Sequence, residues 1–191
     1  MGDPHEITDL LHTWRASDQE ADREALIERL YPELRRLAQS RLRDRSDVSL
    51  QATELVHELY VRLFAQRHLD FANRSHFFAI CGRLLRRALL DHARHRSRRK
   101  RGGDAVEVPL SDDEVTLIAD GRTLDVLMLD TAIGRLEAVD PVAARVVELR
   151  FFAGMSHDET AEVLGIGRAT VGRSWRFARA FLRRQMDDGA T

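Results

Sequence analysis

Apolar residues recur at three- and four-residue spacing along most of this chain, and that spacing predicts a succession of helices. Ile7, Leu10, Leu11 and Trp14 mark the first, which ends near Ala16-Ser17-Asp18, with Asp18 available to cap the next. Ala21, Leu26, Ile27, Leu30, Tyr31, Leu34, Leu37, Ala38 and Leu42 carry a stripe through a second helix. Pro32 should bend or break it, because the proline ring removes one backbone donor. A polar stretch, 43–49, follows as a loop. Within 50–64, Leu55, Leu59 and Leu63 repeat every fourth residue beside Val56, Tyr60 and Phe64, while Glu54, His57, Glu58, Val61 and Arg62 face away. Residues 70–76 read as a loop, with Ser75 as the cap of the helix that follows.

That helix, Phe77 to Arg101, changes character along its length. Phe77, Phe78, Ile80, Leu84, Leu85, Leu89 and Leu90 give way to Arg94, His95, Arg96, Arg98, Arg99, Lys100 and Arg101. A cationic block of this density attracts a phosphate backbone through counterion release. Gly102 to Arg122 contains Pro109 and, up to Asp120, only acidic charges, so it reads as a linker. Helical spacing resumes over 123–139 with Leu124, Val126, Leu127, Leu129, Ile133 and Leu136. Asp140-Pro141 opens another helix, as cap and first helical residue, with Val142, Val146, Val147, Leu149 and Phe152 inward and Gly154 at its end.

The last quarter holds the most specific pattern. Ser156 and Glu159 form a capping box, in which each side chain satisfies a free backbone N–H at the helix start. Thr160, Ala161, Val163 and Leu164 supply a small inner face. Gly165 ends that helix, since the left-handed backbone there is least strained as glycine. A second helix begins at Arg168. Val171, Trp175, Ala178 and Leu182 make its buried stripe, and Arg168, Arg173, Arg176, Arg179 and Arg183 lie mainly off it. Two helices joined by a glycine turn, the second one arginine-rich, form a helix-turn-helix suited to a DNA major groove.

Composition narrows the class. The chain has 191 residues, 43% hydrophobic and 32% charged, and its net charge of −1 hides the segregation just described. Strand-like alternation is nearly absent, so an all-α fold is expected: two small helical domains, 1–101 and 123–187, joined by a flexible acidic linker, 102–122. Cys81 is the single cysteine and sits among apolar residues, which suits a buried structural thiol in a reducing compartment. No apolar run reaches membrane-spanning length and no signal peptide is evident, so a cytoplasmic protein with no membrane partner is expected. His92 and His95 lack a supporting carboxylate or cysteine, so no metal is expected. No nucleophile with a base and no phosphate-binding glycine loop is present; neither enzymatic activity nor a cofactor is expected.

The order of these parts resembles that of the extracytoplasmic-function (ECF) group of the sigma-70 family. Leu55-Val56-His57-Glu58-Leu59-Tyr60-Val61-Arg62-Leu63-Phe64 looks like the family's polymerase-docking helix, Leu90-Asp91-His92-Ala93-Arg94 like the end of its promoter-melting helix, and Ser156 to Val171 like the helix-turn-helix used on the −35 element. The resemblance implies an alternative sigma factor that directs promoter-specific initiation. Core RNA polymerase, through its β′ clamp helices and β flap, and promoter DNA would be its partners. Gln51, Thr53, Glu54, His57, Glu58, Val61 and Arg62 would meet polymerase. Asn73, Arg74, Ser75 and His76 would capture a flipped −10 base, with Arg83, Arg86, Arg87, Arg94 and Arg98 holding the strands. Arg168, Thr170, Val171, Arg173, Ser174 and Arg176 would read the −35 duplex.

Two positions depart from the family pattern. Where members commonly carry Asp-Ala-Glu-Asp, this chain has Gln51-Ala52-Thr53-Glu54, and Arg87 replaces a common asparagine. Thr53 near a helix N-terminus is favourable for a phosphate, which would bring about −1.5 to −2 charges. A Ser/Thr kinase acting on Thr53 is therefore an expected regulator, as in a family subgroup that looks similar in this helix. An anti-sigma factor is the other regulator the resemblance admits. The rival readings are a conventional helix-turn-helix regulator and a recombinase with a helix-turn-helix tail.

Overall fold

The computed structural model describes residues 4–17, 19–41, 51–65, 73–99, 107–108 and 124–188. In chain order these form α1 (Pro4–Ser17), α2 (Glu20–Arg41), α3 (Ala52–Phe64), α4 (Arg74–Arg99), β1 (Glu107–Val108), β2 (Leu124–Asp125), α5 (Val126–Val139), α6 (Pro141–Val147), a π-helical turn (Glu148–Phe152), α7 (His157–Leu164) and α8 (Arg168–Asp188). The all-α expectation holds, with one addition. Glu107 and Val108 pair antiparallel with Asp125 and Leu124. Leu124 was expected on a helix; instead it closes a short ribbon, and the helix starts at Val126. The rest of the expected linker, Gly102 and Gly103 included, lies outside the described residues.

In the N-terminal half, Ile7 and Leu11 of α1, Leu26, Leu30 and Leu34 of α2, Leu55, Leu59 and Leu63 of α3 and Phe77, Leu85 and Leu89 of α4 are buried together. Burying one such side chain is worth about 1.5–3 kcal/mol, so this stripe-to-stripe packing holds the four helices. Cys81 is buried among them, and burial pushes its thiol pKa well up, which suits a structural thiol. The hydroxyl of Tyr60 donates to the Ile27 carbonyl at 3.2 Å and fastens α3 to α2.

Pro32 does not break its helix. α2 is continuous from Glu20 to Arg41, because Leu30, Leu34 and Ala38 on its buried face keep their packing while Pro32 is exposed. The carbonyl of Pro32 accepts from Arg36 Nε at 3.2 Å. The expected caps at the next boundaries divide. Asp18 lies outside the described residues. At the start of α4 the cap is Asn73, not Ser75: Asn73 Oδ1 accepts the His76 backbone N–H at 3.0 Å, and the helix begins at Arg74. Asn73 competes well because its short amide reaches the N–H three residues on.

In the C-terminal half, Asp140 Oδ1 accepts the Ala143 N–H at 2.9 Å and Pro141 occupies the first turn of α6, as expected. Val146, Val147, Leu149 and Phe152 are buried, but Val142 is exposed, and Ala143 and Ala144 take the inward positions of the first turn of α6. The helix then widens into the π turn before Gly154, whose φ of +68° ends it. The buried side chains of both halves belong to one continuous cluster. The seam is tightest where α4 crosses the segment after the π turn: a Cβ on Gly82 would stand 2.6 Å from Ala153 Cβ and 2.8 Å from its nitrogen. Glycine inside a helix costs about 1 kcal/mol relative to alanine, and here this close approach requires it.

Candidate nucleic-acid interface

The helix-turn-helix forms as its residues dictate. The Ser156 hydroxyl accepts the Glu159 N–H at 3.2 Å, and Glu159 Oε2 accepts the Ser156 N–H at 2.9 Å. Gly165 adopts φ +62°, ψ +32°, and Ile166 N donates to the Ala161 carbonyl at 3.1 Å, closing the corner. On α8, Val171, Trp175, Ala178, Leu182 and Met186 are buried. Arg168, Arg173 and Arg176 are exposed, and Thr170 and Ser174 half-buried. Arg168 Nε lies 3.4 Å from Asp158, and Arg173 donates to the Thr170 hydroxyl at 2.9 Å. Val171 corrects an expectation: it is 0% exposed on the packed face and supports the helix rather than reaching a base edge. Being the first member of the apolar stripe outweighs its place near the helix start.

The other cationic surface is α4. At 100° per residue, Arg83, Arg87 and Arg94 fall within about 40° of one another, and all three are exposed. Arg94 nevertheless lies 3.7 Å from Asp91 and 3.9 Å from Asp130. Arg98 is on α4 by its backbone; its side chain lies outside the described residues. Arg86 faces elsewhere. Its Nη2 and Nε donate to Asp130 Oδ1 at 2.6 and 3.0 Å, and Nη1 is 3.6 Å from Glu148.

The tip of α4 is engaged as well. Asn73 Nδ2 donates to Glu162 Oε1 at 2.6 Å, and the Ser75 hydroxyl to Glu162 Oε2 at 3.1 Å. Arg74 donates to Glu159 Oε1 at 2.9 Å and to Glu33 at 2.7 Å, with its guanidinium 4.5 Å from the centre of the Phe78 ring. Ser75 is only 8% exposed, and His76 is half-buried.

On α3, Thr53, His57 and Val61 stand four residues apart on one exposed ridge, and Val61 is 57% exposed. Gln51 is the cap residue, its N–H donating to Glu54 Oε2 at 3.0 Å. Arg62 bonds Glu58 at 2.6 Å and Asp91 at 2.8 Å. Those carboxylates hold its guanidinium pKa up although burial opposes them. Among the described residues no three His, Cys, Asp or Glu side chains converge as metal ligands, and no helix is long and apolar enough to cross a membrane.

The chain thus carries a helix-turn-helix with an open arginine face, preceded by a cationic helix and an exposed ridge on its neighbour. The family model for ECF sigma factors matches residues 4–188. The chain belongs to the ECF sigma factor family. It is thus an alternative sigma factor, a protein of transcription initiation. A solved structure, the sigma factor RpoE in complex with the anti-sigma factor NepR from Bartonella quintana, is similar at 20% identity over 87% of this chain and 97% of that one, with a TM-score of 0.42. No curated protein matches the chain.

Sequence reasoning missed several residues of this sigma factor. Arg150 is 2% exposed, donates to the Met155 carbonyl at 3.1 Å and stacks its guanidinium 5.1 Å from the Trp175 ring centre, so it braces the turn that carries α7. Its signal was an arginine within the run Leu149–Phe152, where a solvated charge is out of place. Glu159 read only as a cap and Glu162 had no assigned role; their bonds to residues 73–75 span more than eighty positions and leave no local signal.

Proposed function

We propose that this sigma factor directs promoter-specific initiation with its units divided as 1–101 for polymerase docking and the −10 element, 102–122 as an acidic linker, and 123–187 for the −35 element. Asn73, Arg74, Ser75, His76, Arg83, Arg86, Arg87, Arg94 and Arg98 engage the opened −10 strands, and Arg168, Thr170, Arg173, Ser174 and Arg176 the −35 duplex. The site of action is the cytoplasm, and core RNA polymerase meets the chain through its β′ clamp helices and β flap. An anti-sigma factor is a second regulatory route that the family reading leaves open.

Docking uses the α3 ridge, and phosphorylation of Thr53 by a Ser/Thr kinase strengthens it. One observation carries this reading. Thr53 and His57 are exposed beside Val61 on that ridge, while the two acids of α3, Glu54 and Glu58, are already engaged by the Gln51 N–H and by Arg62. A surface meant for basic clamp helices thus offers little unengaged negative charge. A phosphate at Thr53, within the first turn, would be favoured by the helix dipole and would supply that charge.

The test is core polymerase binding and run-off transcription by the unmodified chain, the chain phosphorylated at Thr53, Thr53→Ala and Thr53→Glu. The phosphorylated chain should bind core at least tenfold more tightly than Thr53→Ala, and Thr53→Glu should fall between them. Equal binding by all four removes the switch and leaves the sigma role. Duplex binding with no stimulation of core in any state favours the helix-turn-helix regulator instead.

A further inference from the structure

We infer that Glu159 and Glu162 of α7 clasp the tip of α4, occupying the donors that would otherwise bind an opened promoter strand, so that the free sigma factor must part at the Gly82–Ala153 seam before it can engage DNA there. This rests on reading Asn73, Arg74 and Ser75 as strand-binding residues. Each gives a hydrogen bond to one of the two carboxylates, at 2.6, 2.9 and 3.1 Å, and Arg74 gives a second to Glu33 of α2 at 2.7 Å. A carboxylate offers the same features as a phosphate or a base carbonyl: acceptor oxygens and negative potential. Both cannot occupy the same donors, so strand and clasp compete.

The contact is built rather than incidental. Glu159 uses one oxygen for the Ser156 N–H and the other for Arg74, so the cap of α7 aims the carboxylate at the tip. Further along α4, Arg86 is held by Asp130 of α5 and Glu148 of the π turn. Gly82 lets α4 reach the Ala153 backbone, and Arg41 of α2 lies 4.9 Å from the centre of the Phe151 ring. Asn73, Arg74, Ser75, Arg86 and Arg94, all assigned to the −10 strands, therefore meet acids of the C-terminal half, while Arg168, Arg173 and Arg176 of α8 remain exposed. Any partner that opens the clasp must bind the parted form more tightly, since a ligand shifts an equilibrium only by its differential affinity. On the division of roles proposed above, core polymerase is that partner.

Two variants open the seam by different routes. Glu159→Gln with Glu162→Ala removes the acids; glutamine can keep the Ser156 cap. Gly82→Ala introduces a Cβ that collides with Ala153 and leaves every strand-binding side chain in place. Each is made in the full chain carrying Cys81→Ala, with spin labels on Glu24→Cys and Ala180→Cys, both at exposed positions. Electron–electron resonance should give one short distance for the parent and longer, broader ones for both variants. Affinity for a fluorescein-labelled mixed-sequence single-stranded oligonucleotide should rise about tenfold in both, and Arg74→Ala should cancel the rise. Unchanged distances in both variants overturn the clasp. Longer distances without tighter oligonucleotide binding overturn the competition. Run-off transcription by the parent, measured in parallel, separates these failures from failure of the sigma reading itself.

Discussion

The start of α8 and the start of α4 are both rich in groups that bind nucleic acid, yet they meet opposite surroundings. At the start of α8, Arg168, Arg173 and Arg176 are exposed, and their partners are near neighbours in the chain or lie on the adjoining helix. At the start of α4, Asn73, Arg74 and Ser75 bond carboxylates from beyond residue 155. The difference is one of construction. α8 turns its arginines outward because its opposite face is fully spent on Val171, Trp175, Ala178 and Leu182. The α4 tip is shared between two halves of the molecule, so its availability depends on how they sit together. A duplex-binding face can be permanent where a strand-binding face is conditional.

The largest effect should come from removing what makes the permanent face permanent. Trp175→Ala should destabilise the C-terminal helices by about 3–5 kcal/mol, because it empties the packed side of α8 and takes the stacking partner of Arg150. Chemical denaturation followed by near-ultraviolet circular dichroism checks it, and a loss below 1 kcal/mol would mean that α8 is held some other way. Next, a double-mutant cycle of Arg74→Ala and Glu159→Gln should show a coupling of about 1 kcal/mol, reduced by salt. The corresponding cycle at the exposed Arg168–Asp158 pair should show close to none. Equal couplings would erase the contrast between the two regions.

Gly165→Ala should cost about 1 kcal/mol, because alanine must take the left-handed backbone that joins α7 to α8. Ser156→Ala should cost about as much by releasing the α7 cap; thermal unfolding reads both. The smallest effect on stability belongs to Arg168→Ala and Arg176→Ala, each within about 0.5 kcal/mol. Their loss should appear in duplex binding, with a salt slope lower by about 1 for each phosphate contact removed. Duplex binding unaffected by either would argue that α8 does not enter the groove.

Much of the local architecture was legible. The Ser156–Glu159 box, the Asp140-Pro141 start and the Gly165 stop each depend on groups within three or four residues, so the sequence carries them directly. The failures were of a different kind. Pro32 was expected to bend or break α2; the break does not occur, and the stripe of Leu30, Leu34 and Ala38 runs on through it. Ser75 was expected to cap α4; Asn73 caps it, and the Ser75 hydroxyl goes to Glu162. Val171, placed at the DNA by the resemblance but in the buried stripe by its spacing, lies in the core. The π turn, and the strand pair that joins Glu107 and Val108 within the expected linker to Leu124 and Asp125 just beyond it, left no periodic signal.

The order of apolar and charged positions therefore determined the helices, their caps and the outward arginines of α8, because a repeat of three or four residues fixes which face each side chain takes. Only the tertiary structure decided that Glu159 and Glu162 meet the tip of α4 and that Arg150 is sealed beneath Trp175. Those contacts join residues that no repeat relates. They form where two packed surfaces approach closely enough, at Gly82 and Ala153, to bring opposite charges into hydrogen-bonding range.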